Sequence, residues 1–170
     1  YAWEEILPRF RTGAQIDGAL LSVPVMGEHL GILYRKDVFQ RYQVSVPRTL
    51  GELEAAARYL HQKPMGPKNE PGVGIVSRGD GPTATSLYAA FLHAQGGSWF
   101  DGGRRSTING PQGLAALDSI RRLAGYAPPN LSKFDWQDAS TLFTEGRAAM
   151  YLEGSSIFPI LEQSSSRVAG

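Results

Sequence analysis

Short apolar runs alternate along this chain with stretches of helical period, and glycine or proline punctuates nearly every junction. That alternation constrains the fold more than any single motif, because strands that take turns with helices must pack as layers. Gly31-Ile32-Leu33-Tyr34-Arg35, Val73-Gly74-Ile75-Val76 and Ala148-Ala149-Met150-Tyr151-Leu152 read as strands. Ala19 to Val25 reads as a further short buried strand, with Pro24 placing it at an end or edge, since proline cannot donate to a ladder. The expected fold class is α/β, a layered mixed sheet flanked by helices.

The helices carry their own start and stop signals. Residues 1–16 form a short amphipathic stretch closed by Gly13, and Lys36 to Tyr42 a short helix. Thr49 opens the clearest one: Pro47 precedes it and Glu52 stands three residues later, the spacing of a capping box. Leu50, Leu53, Ala57 and Leu60 then repeat on one face. Residues 62–72 are a Pro- and Gly-rich loop, and Ser77 to Thr83 a polar one. A helix from about Ala84 to Gln95 ends at Gly96-Gly97. Asn109-Gly110-Pro111 opens another, with a stripe of Leu114, Leu117, Ile120 and Leu123 and a stop at Gly125. After a loop over 126–135, Gln137 to Glu145 is helical and Gly146 ends it. Ser155 or Ser156 is expected to cap a last helix reaching about Gln163.

Composition removes several function classes. At 170 residues and 42% apolar, the chain has enough for one ordinary core. Its 17 Lys and Arg balance 16 Asp and Glu, and no basic run exceeds two residues, which argues against nucleic acid as a partner. Without cysteine there is no disulfide, thiolate metal site or Cys nucleophile. His29, His61 and His93 are too widely spaced for a ligand pair and read as surface or half-buried residues, so no metal is expected. No run approaches the ~20 apolar residues of a membrane helix. The start Tyr1-Ala2-Trp3-Glu4-Glu5 has neither Met nor a signal segment, so the chain reads as cut from something longer.

Catalytic patterns are equally scarce. Glu28, Asp80, Asp135 and Glu153 fall in loops or at strand ends, but no spacing singles out the paired carboxylates that a glycosidase needs. The Gly-x-Ser-x-Gly elbow is missing, and no His follows Ser155. Gly72-Val73-Gly74 leads into a strand and Gly79-Asp80-Gly81 lacks a Walker lysine, so neither is a phosphate loop; Gly102-Gly103-Arg104 reads as a turn rather than an anion nest. What remains is a polar and aromatic set at strand ends: Glu28-His29, Trp136, and Glu153-Gly154-Ser155-Ser156. Ligands of open α/β sheets sit beyond the carboxyl ends of strands. Planar hydrogen-bonding groups and an aromatic face are what hold a neutral polyol. A packing role for Trp136 and a solvated loop role for Glu28 fit the same residues.

Order adds what single motifs lack. Val23-Pro24-Val25, Leu33-Tyr34-Arg35-Lys36-Asp37-Val38-Phe39, Pro47-Arg48-Thr49-Leu50-Gly51-Glu52-Leu53, Gly96-Gly97 with Asn109-Gly110-Pro111, and Phe143-Thr144-Glu145-Gly146-Arg147-Ala148-Ala149-Met150 follow one another with natural spacings. In that order they resemble the family 1 extracellular solute-binding proteins, over roughly residues 18–154. The resemblance implies a periplasmic-binding-protein-like II architecture, two α/β lobes joined by crossing hinge strands with sugar held between them. It assigns 1–26 to the tail of lobe I and the first hinge strand, and 27–170 to lobe II. Pro24 to about Leu30 would lie at the first crossing and Gly170 close to the return crossing.

The same resemblance implies a non-catalytic receptor of an ABC importer, periplasmic or at the cell surface with a lipid anchor upstream. Its partners would be a sugar or related polyol, the membrane permease subunits and the missing lobe I; no cofactor is implied. Glu28 matches an acidic hinge residue that touches sugar in maltose-type members, Trp136 an aromatic position bordering their cleft, and Gly154 the glycine after the signature strand. His29 and Glu153 flank these positions. Ser155 and Ser156 replace a sugar-stacking aromatic, and the helix before Gly96-Gly97 lacks the aromatic pair near its start; Tyr88 and Phe91 look like core. These departures point away from maltodextrin, toward a monosaccharide, a disaccharide or a glycerol-phosphate-like solute. The alternative is a carbohydrate hydrolase using Glu28 and Glu153.

Overall fold

The computed structural model describes residues 2–81, 84–163 and 165–168. A single 3-10 turn at Trp3–Glu5 precedes α1 (Pro8–Gly13), then a hairpin of β1 (Gln15–Ile16) and β2 (Ala19–Leu20). There follow β3 (Leu30–Tyr34), α2 (Lys36–Arg41), α3 (Leu50–Leu60), β4 (Val76–Ser77), α4 (Ala84–Ala94) and α5 (Pro111–Ala124). The chain continues with α6 (Trp136–Thr144), β5 (Met150–Gly154) and α7 (Phe158–Leu161). Pro82, Thr83 and Gly170, at the end of the predicted polar loop and at the expected return crossing, lie outside the described residues.

The main sheet has the order β3-β5-β4, with β5 antiparallel to β3 and parallel to β4. It is the mixed, helix-flanked sheet that the alternation predicted. All five residues of the central strand are buried, and the pleat divides them between two layers. Met150 and Leu152 enter a core with Leu53, Leu60, Phe91 and Leu123 from α3, α4 and α5. Tyr151 enters a second core with Ala139, Phe143, Ile157 and Leu161 from α6 and its C-terminal neighbours. Phe91 and half-buried Tyr88 are core residues, as expected.

The Thr49 capping box is present in full: the Thr49 hydroxyl accepts from the Glu52 amide at 3.2 Å and the Glu52 carboxylate accepts from the Thr49 amide at 3.2 Å. An unpredicted second one, Asp135 with Asp138, starts α6. Gly96 and Gly146 end α4 and α6 with φ of +74° and +75°, where a side chain would be strained. Gly74 permits close approach, because a Cβ there would lie 1.9 Å from the Ala57 carbonyl oxygen of α3.

The strand read over Val73–Val76 is shorter and shifted, since β4 is Val76–Ser77 and Val73 joins Ala148 only by an isolated bridge; three larger expectations also need correction. Ala19 to Val25 is not a buried strand: only Ala19–Leu20 pair, with Gln15–Ile16, and Leu21 and Val25 are 65% and 93% exposed. A two-stranded ribbon turned by Asp17-Gly18, both at positive φ, cannot cover that apolar row. The buried face of α5 is also rotated. Gly113, Ala116, Ser119 and Leu123 face inward, with Ile120 at the margin, while Leu114 and Leu117 are exposed. Small residues win that face because it packs closely; a Cβ on Gly113 would lie 1.8 Å from the Ile108 carbonyl oxygen and 2.8 Å from the Tyr88 hydroxyl. Finally, neither Ser155 nor Ser156 caps a helix. A 3-10 turn spans Ser155–Ile157, and α7 ends at Leu161 without a hydroxyl cap.

Candidate functional site

Because β4 and β5 run parallel, their carboxyl ends lie at one edge of the sheet, where antiparallel β3 begins. Leu30 pairs with Gly154, which sets Glu28-His29 beside Ser155-Ser156. The Ser155 amide donates to the His29 carbonyl at 3.0 Å, and the His29 amide donates to the Ser155 hydroxyl at 3.4 Å. The Ser156 amide donates to Glu28 Oε1 at 3.2 Å. Gly154 is what lets that carboxylate in, since a Cβ would sit 2.7 Å from Glu28 Oε1. Thus five of the seven candidate residues converge, and their serines position the neighbouring loop rather than cap a helix.

Trp136 approaches from a different element. The amides of Gly79 and Asp80, just past β4, donate to the Phe134 carbonyl at 2.9 and 3.2 Å. That pair ties the start of α6 to the carboxyl end of β4. Trp136 is half-buried, packed on the second core, so the packing role is present.

Glu153 has a role that its position in the sequence did not reveal. It is 2% exposed, on the same side of β5 as Tyr151. Arg78, at the end of β4, grips it with two nitrogens, Nε donating to Oε2 at 2.8 Å and Nη2 to Oε1. The Tyr151 hydroxyl donates to Oε2 at 2.9 Å and the Gly154 amide to Oε1 at 2.7 Å. Burial pushes the Glu153 carboxyl upward, but Arg78, the Gly154 amide and the Tyr151 hydroxyl together outweigh it and hold the group below the usual range. Tyr151 is pushed well up, first by burial and then by the adjacent carboxylate, and stays a neutral donor. A carboxylate held ionised in this way has no proton to give a leaving group, so Glu153 is unsuited to the general-acid role of the hydrolase alternative.

Sequence reasoning passed over Arg78. Its signal was a basic residue closing one apolar run, Val73–Val76, while an acid closes another, Met150–Leu152. Two strand-end charges of opposite sign are paired once those strands are neighbours.

The crevice that touches this edge, lined by Leu30, Ser77, Arg78, Leu87, Leu152 and Glu153, measures about 20 Å³. That admits about one water. The edge is therefore an open wall. Elsewhere, Asp101 Oδ1 accepts from the amides of Gly103 and Arg105 at 2.8 and 2.9 Å, which makes Gly102-Gly103-Arg104 a self-filled turn. Among the described residues there is no group of three or more His, Asp or Glu able to hold a metal, and no helix is long and apolar enough to cross a membrane.

Comparison with known proteins agrees with the fold. The chain is 27% identical, over 99% of its length, to a mannitol-binding protein of Pseudomonas aeruginosa, and spans 39% of that relative. It superposes with a TM-score of 0.85 and 27% identity on an ABC transporter solute-binding protein of Agrobacterium radiobacter in complex with ribitol, covering 98% of this chain and 42% of that one. A TM-score of 0.82 at 24% identity relates it in fold to a solute-binding protein of Agrobacterium vitis with bound D-mannitol, over 99% of this chain and 41% of the other. The family profile described as bacterial extracellular solute-binding protein matches residues 1–164, nearly the whole chain, and the protein belongs to that family.

Proposed function

We propose that this chain forms one wall of a solute-binding receptor of an ABC importer, and that the solute is a neutral sugar or, more specifically, a linear polyol. The observation that carries this reading is the open polar edge, where Glu28, His29, Arg78 and Ser155-Ser156 converge beside a crevice far too small for a sugar. A wall of that kind recognises a small molecule only when a second wall faces it. The exposed apolar row from Leu20 to Met26 supports the division into a lobe I tail and hinge over 1–26 and a lobe II over 27–170, because a neighbouring lobe would cover it. Ligand bridging both lobes would shift an open–closed equilibrium, and the closed form would engage the permease. The setting is extracytoplasmic.

The polyol preference rests on two points. The resemblance to maltose-type members sets Ser155-Ser156 at positions where those proteins often stack an aromatic on a sugar ring. One relative at 27% identity is described as a mannitol-binding protein, and another at 27% is in complex with ribitol. The test is calorimetry on the receptor at the full length of those relatives, with D-mannitol, ribitol, D-glucose and maltose as titrants. Glu28→Ala and Trp136→Ala are expected to weaken the bound solute by roughly 10-fold or more, about 1.4 kcal/mol each. Unchanged affinity in both variants refutes the site, and binding of maltose alone refutes the polyol.

A further inference from the structure

Resting on the reading above, we infer that Arg78 is a ligand-donating residue of this edge and that the charge it shares with Glu28 and Glu153 selects uncharged polyhydroxy solutes over acidic or phosphorylated ones. Arg78 bonds to Glu153 through Nε and Nη2, and among the described residues its Nη1 meets no acceptor. Its side chain is 30% exposed while Glu153 is only 1% exposed, so the guanidinium forms the solvent boundary of a buried carboxylate. A planar group held by two parallel bonds is fixed before any ligand arrives, so its remaining N–H donors cost little to engage. Glu28 lies at the same edge, because Leu30 pairs with Gly154 and Gly31 with Glu153, and the Ser156 amide donates to its Oε1 at 3.2 Å.

The edge thus offers a hydroxyl two complementary partners, a guanidinium donor at Arg78 and a carboxylate acceptor at Glu28. A hydroxyl both donates and accepts and can satisfy such a pair; a carboxylate or phosphate can only accept. Two carboxylates against one guanidinium also leave a local charge of −1. Anionic versions of the solute meet that charge in a partly desolvated site, where like charges repel more strongly than in water. The glycerol-phosphate-like candidate raised by the sequence is therefore disfavoured.

The experiment compares matched pairs on the full-length receptor, D-mannitol with D-mannonate and D-glucose with D-gluconate, by calorimetry at neutral pH. The neutral member of the binding pair is expected to bind on the order of 100-fold tighter than its acid. Glu28→Gln keeps the shape but removes one charge, and should narrow that ratio by about 10-fold, chiefly by improving the acid. Arg78→Lys keeps the charge but loses the fork, and should weaken the neutral solute by about 10-fold while leaving the ratio in place. A purely structural Arg78 would not move affinity when the Lys variant melts like the wild type. Equal binding of neutral and acid by the wild type, or an unaltered ratio in Glu28→Gln, overturns the charge selection alone. Failure of both neutral sugars to bind the wild type overturns the receptor reading and this inference with it.

Discussion

Removing Arg78 is expected to cost the fold more than removing its partner, although the two share the same bonds. In Arg78→Met the Glu153 carboxylate stays in a site that is 1% exposed, with only the Tyr151 hydroxyl and the Gly154 amide to solvate it. Stranding a buried charge in this way costs about 3–5 kcal/mol. In Glu153→Gln the guanidinium left behind is 30% exposed and can turn to water, so the loss is closer to 1–2 kcal/mol of hydrogen bonding. For a chain of 170 residues those figures correspond to melting shifts of roughly 10 °C and 4 °C. The double variant Arg78→Met/Glu153→Gln carries no stranded charge and should be more stable than Arg78→Met alone. Urea unfolding followed by tryptophan fluorescence measures all three. If Glu153→Gln proves as damaging as Arg78→Met, or the double variant brings no recovery, the asymmetry drawn from the exposures is wrong.

The pH dependence supplies an independent check with a definite sign. In the wild type the folded Glu153 titrates below its ordinary value of 4.5, so its stabilisation is present above that pH and is lost as pH falls through the depressed folded value. In Arg78→Met the sign inverts: burial without the cation raises the folded pKa, and the penalty grows as pH rises above the unfolded value. The stability gap between the two proteins should therefore be widest near neutrality and shrink steadily toward pH 4. A gap that is constant between pH 7 and 4 would falsify the assignment of that cost to a stranded charge.

Other perturbations test the frame around the site. Gly74→Ala places a Cβ 1.9 Å from the Ala57 carbonyl, a backbone atom that cannot step aside, and is expected to cost over ~3 kcal/mol or to abolish soluble expression. Gly154→Ala meets first the carboxylate end of the Glu28 side chain, which can swing aside, so melting should barely change while solute affinity falls in calorimetry. Thr49→Ala removes half of a capping box and should cost about 1 kcal/mol in urea titration.

Much of the layered fold was legible because it is written in local signals. Thr49 with Glu52, Gly96 and Gly146 act within one helical turn, and each does what its chemistry predicts. What escaped was information held between segments. Leu114 and Leu117 looked like the inner stripe of α5 because leucine outranks glycine and alanine in hydrophobicity. The neighbouring Ile108 carbonyl and Tyr88 hydroxyl leave no room for a side chain at Gly113, so the face that holds it turns inward. Asp17-Gly18 was a readable hairpin turn, yet the apolar run from Ala19 to Val25 suggested a buried strand. Of the candidate site, Glu28-His29 and Ser155-Ser156 were read as separate strand-end residues, Glu28-His29 after a buried strand that is absent; they precede β3 instead, and nothing local says that Leu30 pairs with Gly154.

Glu153 illustrates why the strand order matters more than any residue at this edge. Read alone, it is an acid at the end of a strand, equally suited to a sugar hydroxyl or to acid catalysis. Once β4 lies parallel beside β5, Arg78 arrives at the same level, and Tyr151 two positions back faces the same layer. The carboxylate is then fully occupied, and what it does at this edge is to fix the guanidinium. Glu28 remains the carboxylate at the rim, admitted by a glycine and steadied by one backbone amide. On the proposed reading, the division of labour follows from the topology: the buried acid orients, while the exposed acid and the exposed edge of the base would meet the solute. Relatives of this chain with the same strand order but without a basic residue at the Arg78 position should therefore carry a neutral residue at the Glu153 position too, since an acid there would otherwise be stranded.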